Sequence, residues 1–345
     1  MSSDPRKSQY GTATGLSAAK PASASAAPRR FVFVLIDNFT LLSFAAAVEC
    51  LRIANRMAEK TIYEWSVIGD SDDVIACSAG SRFQLDGSLG ELSRDDTVLL
   101  CGGIEIQQAA TKRMLNWLRR EARRGLKMGG LCTASYLLAR AGLLDGKRAT
   151  IHWENHDSFS EEFPEVNLTK SVFTVDGARM TTAGGTSSID LMLNIIAQDH
   201  DEKLANAVAD QLIYSSIRTD QDTQRLSVPT RIGVRHPKLS QVIQMMESNV
   251  EEPISPATLA RDAGMSTRQL ERLFRRYLSR SPKRYYMELR LQKARNLLMQ
   301  TDMTVINVAL ACGFSSPSHF SKCYRAHYNT TPYRERGSHS SRLSV

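Results

Sequence analysis

The chain has 345 residues, of which 42% are apolar, and a formal net charge of +8. That is too long for one compact domain and apolar enough for two cores. The longest clean apolar run, residues 31–36, is far short of the ~20 needed to span a bilayer, so no membrane partner is expected. Residues 1–30 are rich in Ala and Ser and lack the apolar stretch of a secretory signal. They read as a disordered tail, and the protein as cytoplasmic. Cys50, Cys77, Cys101, Cys132, Cys312 and Cys323 form no CxxC pair and have no histidines at ligand spacing. No disulfide framework, metal site or cofactor is expected, and most of these thiols should be buried.

From residue 31, short β-branched runs alternate with helical stretches. FVFVLI (31–36) reads as a buried strand, 41–58 as a helix, and WSVIG (65–69) as a second strand. TVLLCGG (97–103) is a third strand, ending on Gly102 and Gly103, and 109–124 a helix that is polar along one face. LKMGGLC (126–132) is a strand running into a turn, followed by a helix at 133–141. RATIHW (148–153) is another strand, and VFTVDGARMTTAGG (172–185) a hairpin about Asp176 and Gly177. Helices at 187–199 and 202–217 complete the module. This alternation predicts an α/β domain over 31–217: a mostly parallel sheet, flavodoxin-like, covered on both faces. Residues 218–237, with Pro229 and Pro237 and no clear periodicity, read as a linker. Beyond them every apolar pattern has helical spacing. An all-α domain is expected over 238–336, with a tail at 337–345.

Charge divides along the same line. Residues 1–236 hold 27 Lys/Arg against 28 Asp/Glu, and residues 237–345 hold 17 against 8. The whole excess lies in the last third, which points to a polyanion as partner. That third also contains an internal repeat. LARDAGMSTRQLERLFRRYLSRSP (259–282) resembles VALACGFSSPSHFSKCYRAHYNTTP (308–332), with Gly264 and Gly313 matched, then Pro282 and Pro332. Each unit reads as a short helix, a glycine turn and a second helix capped by Ser266 or by Ser315 or Ser316, the order of a helix-turn-helix. On the first second-helix, Leu270, Leu273 and Phe274 take the inward face, leaving Arg268, Gln269, Glu271, Arg272, Arg275 and Arg276 outward. On its counterpart Phe320, Cys323 and Tyr324 face inward, and Ser318, His319, Ser321, Lys322 and Arg325 outward. One such basic face could be solvated surface; two matched copies favour major-groove reading. A helix over 282–299 would span about 27 Å and hold two reading helices near successive groove faces of double-stranded DNA.

These stretches resemble the AraC family of regulators over about 239–336, most specifically in VINVALACGFSSPSHFSKCYRAHYNTTPYRER. The resemblance implies that Arg268, Gln269, Arg272, Ser318, His319 and Lys322 lie in the groove, with Ser266, Arg276, Ser316 and Arg325 as further DNA contacts. Pro317 departs from the polar residue often found at its position. RNA polymerase and a second copy of the chain are the other expected macromolecular partners.

In the front module, GGLCTASYLLARAGLLDG (129–146) has the strand–turn–helix order of a nucleophile elbow at Cys132, with His152 at the end of the next strand. A buried, inert cysteine is the competing reading. Residues 31–200 resemble the class I glutamine-amidotransferase-like superfamily that contains the PfpI proteases, in Asp37, Glu49, Gly102, Gly103, Cys132, Thr133, AGLLDG (141–146) and TIHW (150–153). That superfamily usually carries an acid where this chain has Ser43. The departure favours a non-catalytic pocket that senses a small molecule, the alternative being a thiol hydrolase or amidase using Cys132. Beyond the carboxyl ends of the strands the pocket should gather Gly102, Gly103, Cys132, Thr133, His152, Trp153, Glu154 and Glu49. Trp153 and Glu154 suggest a cationic ligand, unless Trp153 is core and Glu154 a helix cap. Within the AraC family the chain is most similar to glycine-betaine-responsive activators of choline catabolism, in DNFTLLSFAAAVECLRIAN, CGGIEIQ and HFSKCYR; carnitine- and arginine-responsive members share much of this.

Overall fold

The protein is described from a computed structural model covering residues 27–70, 73–225 and 227–336; most of the expected tails, 1–26 and 337–345, lies outside the described residues. A run such as FVFVLI is apolar on both sides, and it takes the place where that is favourable, the middle of a sheet. Among the described residues seven strands form the main sheet. From one edge they are Phe173–Asp176, Arg179–Thr182, Lys127–Leu131, Thr97–Cys101, Arg29–Leu35, Tyr63–Gly69 and Gly87–Ser88. All neighbours are parallel except the hairpin at the first edge. Phe31, Phe33 and Leu35 face a core under the helices Leu41–Met57, Ser187–Asp199 and Glu202–Gln211. Val32, Val34 and Ile36 face the opposite core, which contains Trp117 and Leu137 from helices Lys112–Arg123 and Ser135–Arg140. The expected mostly parallel α/β domain is what the chain forms.

The structure differs from the sequence reading in several places. Arg29 and Arg30, expected in the tail, open the first strand, where Arg29 pairs with Asp199 at 2.6 Å. RATIHW is not a strand of the main sheet. Only Arg148–Ala149 pairs, with Asn167–Leu168 in a separate ribbon. Side chains then take over the backbone's hydrogen bonds. Thr150 N–H donates to Thr181 Oγ1 at 2.8 Å, and Thr150 Oγ1 to Ser171 O at 2.7 Å. The chain turns through Trp153–Asn155 into the helix His156–Glu162. The helix expected over 202–217 ends at Gln211, because Ile213 adopts φ 55° and the following residues fold back. Asp190, buried in the front domain, receives Tyr214 Oη at 3.0 Å, Arg218 N–H at 2.9 Å and Arg218 Nη2 at 2.7 Å.

The segment expected to be a linker is therefore divided between the two modules. Gln224 Nε2 donates to Thr150 Oγ1 and to Ile151 O, at 2.8 and 2.9 Å, and so belongs to the front domain. Val228–Arg231 is already helical, with Val228 in the core of the back domain.

Beyond it every element is a helix: Pro237–Ser248, Pro256–Asp262, Thr267–Leu278, Pro282–Gln300, Val305–Ala311 and Pro317–Tyr328. Pro at the first helical turn recurs, and Ser255, Ser266, Ser281, Thr304 and Ser316 each accept a backbone N–H as N-caps. Two small cores are buried. One joins Leu259, Leu270 and Phe274 to Tyr286; the other joins Phe320 and Tyr324 to Leu291, Leu297 and Leu298. Pro282–Gln300 serves both. The repeat persists in the backbone, since Ser279 and Asn329 both end their helices in the left-handed region, at φ 54° and 56°.

Arg218→Ala would leave the Asp190 carboxylate, whose side chain has no exposed surface, without its cation. We expect the front domain to lose about 3 kcal/mol. Trp65, Trp117 and Trp153 are the chain's three tryptophans and all lie in that domain, so urea unfolding followed by tryptophan fluorescence reads it selectively. A midpoint unchanged from wild type would show that the pair is dispensable.

Candidate nucleic-acid interface and effector cavity

The two reading helices, Thr267–Leu278 and Pro317–Tyr328, are anchored by their fully buried Leu270 and Phe274, and Phe320 and Tyr324. Their other faces are open: Arg268, Gln269, Arg272, Arg276, Ser318, His319, Lys322 and Arg325 are exposed. Among the described residues Arg268, Arg272, Lys322 and Arg325 have no ion-pair partner, so their charges are free to meet phosphates or base edges. Other expected contacts are partly committed. Ser266 and Gln269 form a capping box, Ser266 N–H donating to Gln269 Oε1 at 2.7 Å and Gln269 N–H to Ser266 Oγ at 3.2 Å. In the second unit Ser316 caps the helix and is partly buried, and His319 Nε2 lies 3.3 Å from Cys323 Sγ. Arg276 lies 5.4 Å over the Tyr277 ring.

The second turn is held from outside its own unit. Arg290 donates to Cys312 O at 2.8 Å and to Gly313 O at 2.6 Å, with its guanidinium 4.0 Å from the Phe314 ring centroid. Gly313 has φ 71°, and a Cβ there would meet Glu251 O and Pro253 at 2.7 Å. Its counterpart Gly264 has the same handedness, but a Cβ there would meet only the end of the Lys238 side chain, at 3.7 Å. The second turn is thus fixed by sterics as well as by conformation.

In the front domain Cys132 leaves the strand Lys127–Leu131 at φ 62°, a left-handed conformation costing about 1–2 kcal/mol for a side-chain-bearing residue. Gly184, at φ 86°, lies so close that a Cβ there would sit 2.8 Å from Cys132 Sγ. The elbow is present, but its charges are not those of a thiol enzyme. Burial pushes the Cys132 thiol above its ordinary value and the His152 imidazole below its own, so both are neutral near pH 7. Cys132 Sγ receives its hydrogen bond from Thr40 Oγ1 at 3.5 Å. Among the described residues it shares none with His152, whose Nδ1 accepts from Glu154 N–H at 3.4 Å. Ser43, standing where an acid is usual, is fully buried, and its Oγ accepts from Gly185 N–H at 2.7 Å.

A cavity of about 430 Å³ opens at the carboxyl ends of Thr97–Cys101 and Lys127–Leu131, next to the point between Arg29–Leu35 and Thr97–Cys101 where the crossovers part to opposite faces. Of the expected ligand residues, Gly103, Cys132, Thr133, His152 and Glu154 line it. Thr133 Oγ1 donates to Gly103 O at 2.7 Å, tying the elbow to the neighbouring strand end. Gly102 sits behind this wall, its O accepting from Thr40 N–H at 3.0 Å. Glu49 and Trp153 do not line the cavity. Glu49 pairs with Arg52 at 2.6 Å on the exposed side of its helix. The Trp153 ring already carries a cation of the chain itself, Arg225, 4.6 Å from its centroid. Thr40, residues 104–107, Asn155, Gly184, Gly185, Met299 and Gln300 complete the lining and were not anticipated. The Gly184–Gly185 pair ending the hairpin was a usable signal for two of them; Met299 and Gln300 belong to the other domain. A smaller hollow of about 310 Å³, bounded by Asp37 and Asp70, shares Ile104 and Glu105 with this cavity.

Residues 29–198 match the DJ-1/PfpI family, and residues 259–338 match a helix-turn-helix domain family. The chain is 46% identical over 306 residues to the HTH-type transcriptional regulator CdhR of Pseudomonas aeruginosa, covering 89% of this chain and 91% of that one. The chain is an AraC-family transcriptional regulator with a DJ-1/PfpI front domain. It is also 42% identical over 309 residues to the HTH-type transcriptional regulator GbdR of Pseudomonas aeruginosa, covering 90% of this chain and 84% of that one. Among solved structures, an AraC family transcriptional regulator from Pseudomonas putida has 27% identity over 54% of this chain and 100% of that one, with a TM-score of 0.48. As an AraC-family regulator the protein binds DNA, and like these relatives it is a regulator and not an enzyme.

Two outcomes are expected. On a site selected from random duplexes, Arg272→Ala and Lys322→Ala should each cost about 1–3 kcal/mol and relax preference at one position, whereas Arg276→Ala should weaken all sequences alike and flatten the salt dependence. Fluorescence anisotropy on selected and scrambled DNA separates the two; equal losses on both for Arg272 and Lys322 would remove them from base reading. Cys132, protonated and buried, should react with iodoacetamide far more slowly in the native protein than in urea at pH 7. Because its native pKa is raised, its contribution to stability is present below the ordinary thiol range and lost above it. Rapid native alkylation at Cys132, read by peptide mass, would contradict this.

Proposed function

We propose that the regulator is a cytoplasmic activator controlled by a small zwitterionic amine, glycine betaine or a close relative, bound in the front-domain cavity. The observation that carries this reading is the cavity's charge. Glu105 and Glu154 lie in its lining, and none of the described lining residues is a lysine or arginine. Two carboxylates favour a quaternary or primary ammonium, while the amides of Gln107 and Asn155 are donors suited to a ligand carboxylate. The size, about 430 Å³, is in the range of small-molecule sites. The attraction for the cation is assigned to these carboxylates and not to the Trp153 face. The resemblance to betaine-responsive activators supports the same ligand class independently.

On the DNA side the reading is two adjacent half-sites contacted by one chain, with Arg268, Arg272, Ser318, His319 and Lys322 toward bases. Ser266, Arg276, Ser316 and Arg325 contact the backbone, and Gln269 donates from its amide nitrogen while its oxygen caps the helix. A homodimer through front-domain helices and a contact with RNA polymerase complete the proposal. Coupling between ligand and DNA should be modest, about 1–3 kcal/mol.

Calorimetry on the full chain with glycine betaine, carnitine and arginine tests it. At least one should bind, and Glu154→Gln should weaken that binding about tenfold, the loss of one close charge partner. Trp153→Ala should leave it within about twofold, since that ring is outside the cavity. Binding that is absent for every amine, or that survives in Glu105→Gln/Glu154→Gln, would defeat the reading.

A further inference from the structure

The cavity is not built by the front domain alone. Met299 and Gln300, the last residues of Pro282–Gln300, stand in its lining with Cys132 and His152. The end of that helix is fixed to the front domain by hydrogen bonds. Ser158 Oγ donates to Gln300 Oε1 at 2.7 Å, Gln107 Nε2 to Gln300 O at 3.2 Å, and Asn296 Nδ2 reaches Glu154 O at 3.4 Å. A carbonyl in a helix's last turn has no partner within the helix, so Gln107 acts as a cap supplied by the other domain. Gln107 and Glu154 themselves line the cavity. The Gln300 amide spends its oxygen on Ser158. Among the described residues its nitrogen has no hydrogen-bond acceptor, although it belongs to a side chain of the cavity wall.

We propose that the effector site is shared between the domains: Gln300 donates from Nε2 to the ligand's carboxylate and Met299 covers its apolar part. The end of the DNA-binding module's central helix is thereby a wall of the site. The inference rests on this cavity being the effector site. Its physical content is differential affinity. A ligand shifts a protein between states only if it binds them unequally. A ligand held by the front domain alone has no stake in where the DNA-binding module sits. A ligand that also holds Gln300 loses a charge-assisted hydrogen bond and an apolar wall when the helix end withdraws, so it favours one placement of the module. Because the same helix contributes to both helix-turn-helix cores, the two reading helices move with it as one body. The link between pocket and DNA face is then direct contact and needs no chain of intermediates.

The test uses the full chain, glycine betaine as probe, and a selected DNA duplex. Gln300→Ala should weaken probe binding about tenfold, as for loss of a hydrogen bond to a charged group, and Gln300→Glu more, by placing an anion against a carboxylate. The ratio of DNA affinities with and without saturating probe should shrink toward one in Gln300→Ala. Ser158→Ala, in the other domain, should shrink it too, and the double variant should go no further than the stronger single, because one contact is broken either way. Wild-type probe affinity and an unchanged ratio in both Gln300 variants would overturn the shared wall. Failure of wild type to bind any amine sinks the amine reading instead. The wall is then judged on DNA affinity without ligand, where Ser158→Ala and Gln300→Ala must shift it by the same factor and non-additively. Independent shifts, or none, overturn it.

Discussion

Two small cores that share one helix are the constraint on which the DNA-reading half depends. Pro282–Gln300 supplies Tyr286 to one and Leu291, Leu297 and Leu298 to the other, so the two helix-turn-helix units are packed onto a single element. Nineteen residues at ~1.5 Å each make the helix about 28 Å long, and its stiffness sets the separation of the two exposed basic faces. Arg290 adds a lock part-way along, holding the second turn by two carbonyls and an aromatic face. Arginine suits that role, since its fork gives two parallel donors and its plane stacks.

The front domain keeps the shape of a thiol enzyme's elbow without its electrostatics. A nucleophilic cysteine needs a thiolate, and a thiolate needs a nearby cation or base. Here burial disfavours both the thiolate and the imidazolium, and Ser43 offers a hydroxyl already engaged with Gly185. What the strained turn retains is geometry. It brings the ends of two strands, the Gly184–Gly185 turn and the Thr40 hydroxyl around a hollow. Such a hollow can be useful for binding when no bond is to be broken.

How much of this could be read beforehand depended on whether the cause was local. The buried strand at 31–36 was legible because its apolar residues on both faces reflect burial on both faces. The paired units were legible because Gly313, Ser266, Ser316 and the helix-opening prolines each answer a backbone requirement at a fixed spacing. RATIHW misled because a β-branched run can equally be an extended segment bonded through threonine hydroxyls. Glu49 and Trp153 misled because a plausible chemical role does not say which partner is nearest; Arg52 and Arg225 were nearer. The segment 218–237 lacked periodicity, yet Arg218 and Gln224 are held by long-range polar bonds that leave no periodic trace. Gln300 meets Ser158 across 142 positions of sequence, and nothing local to either marks the encounter.

The unlike side chains on the two reading helices have a further consequence. A symmetric dimer of single reading helices recognises a palindrome, which looks the same from either end. Here Arg268 and Arg272 stand on one helix, and Ser318 and Lys322 on the other, joined in fixed order by one strut. On the proposed reading, each chain would read text that has a direction. Each chain bound to it would then face one way along the duplex, with its front domain toward one end. Orientation relative to a start site would be written into the half-sites themselves, before any partner is recruited.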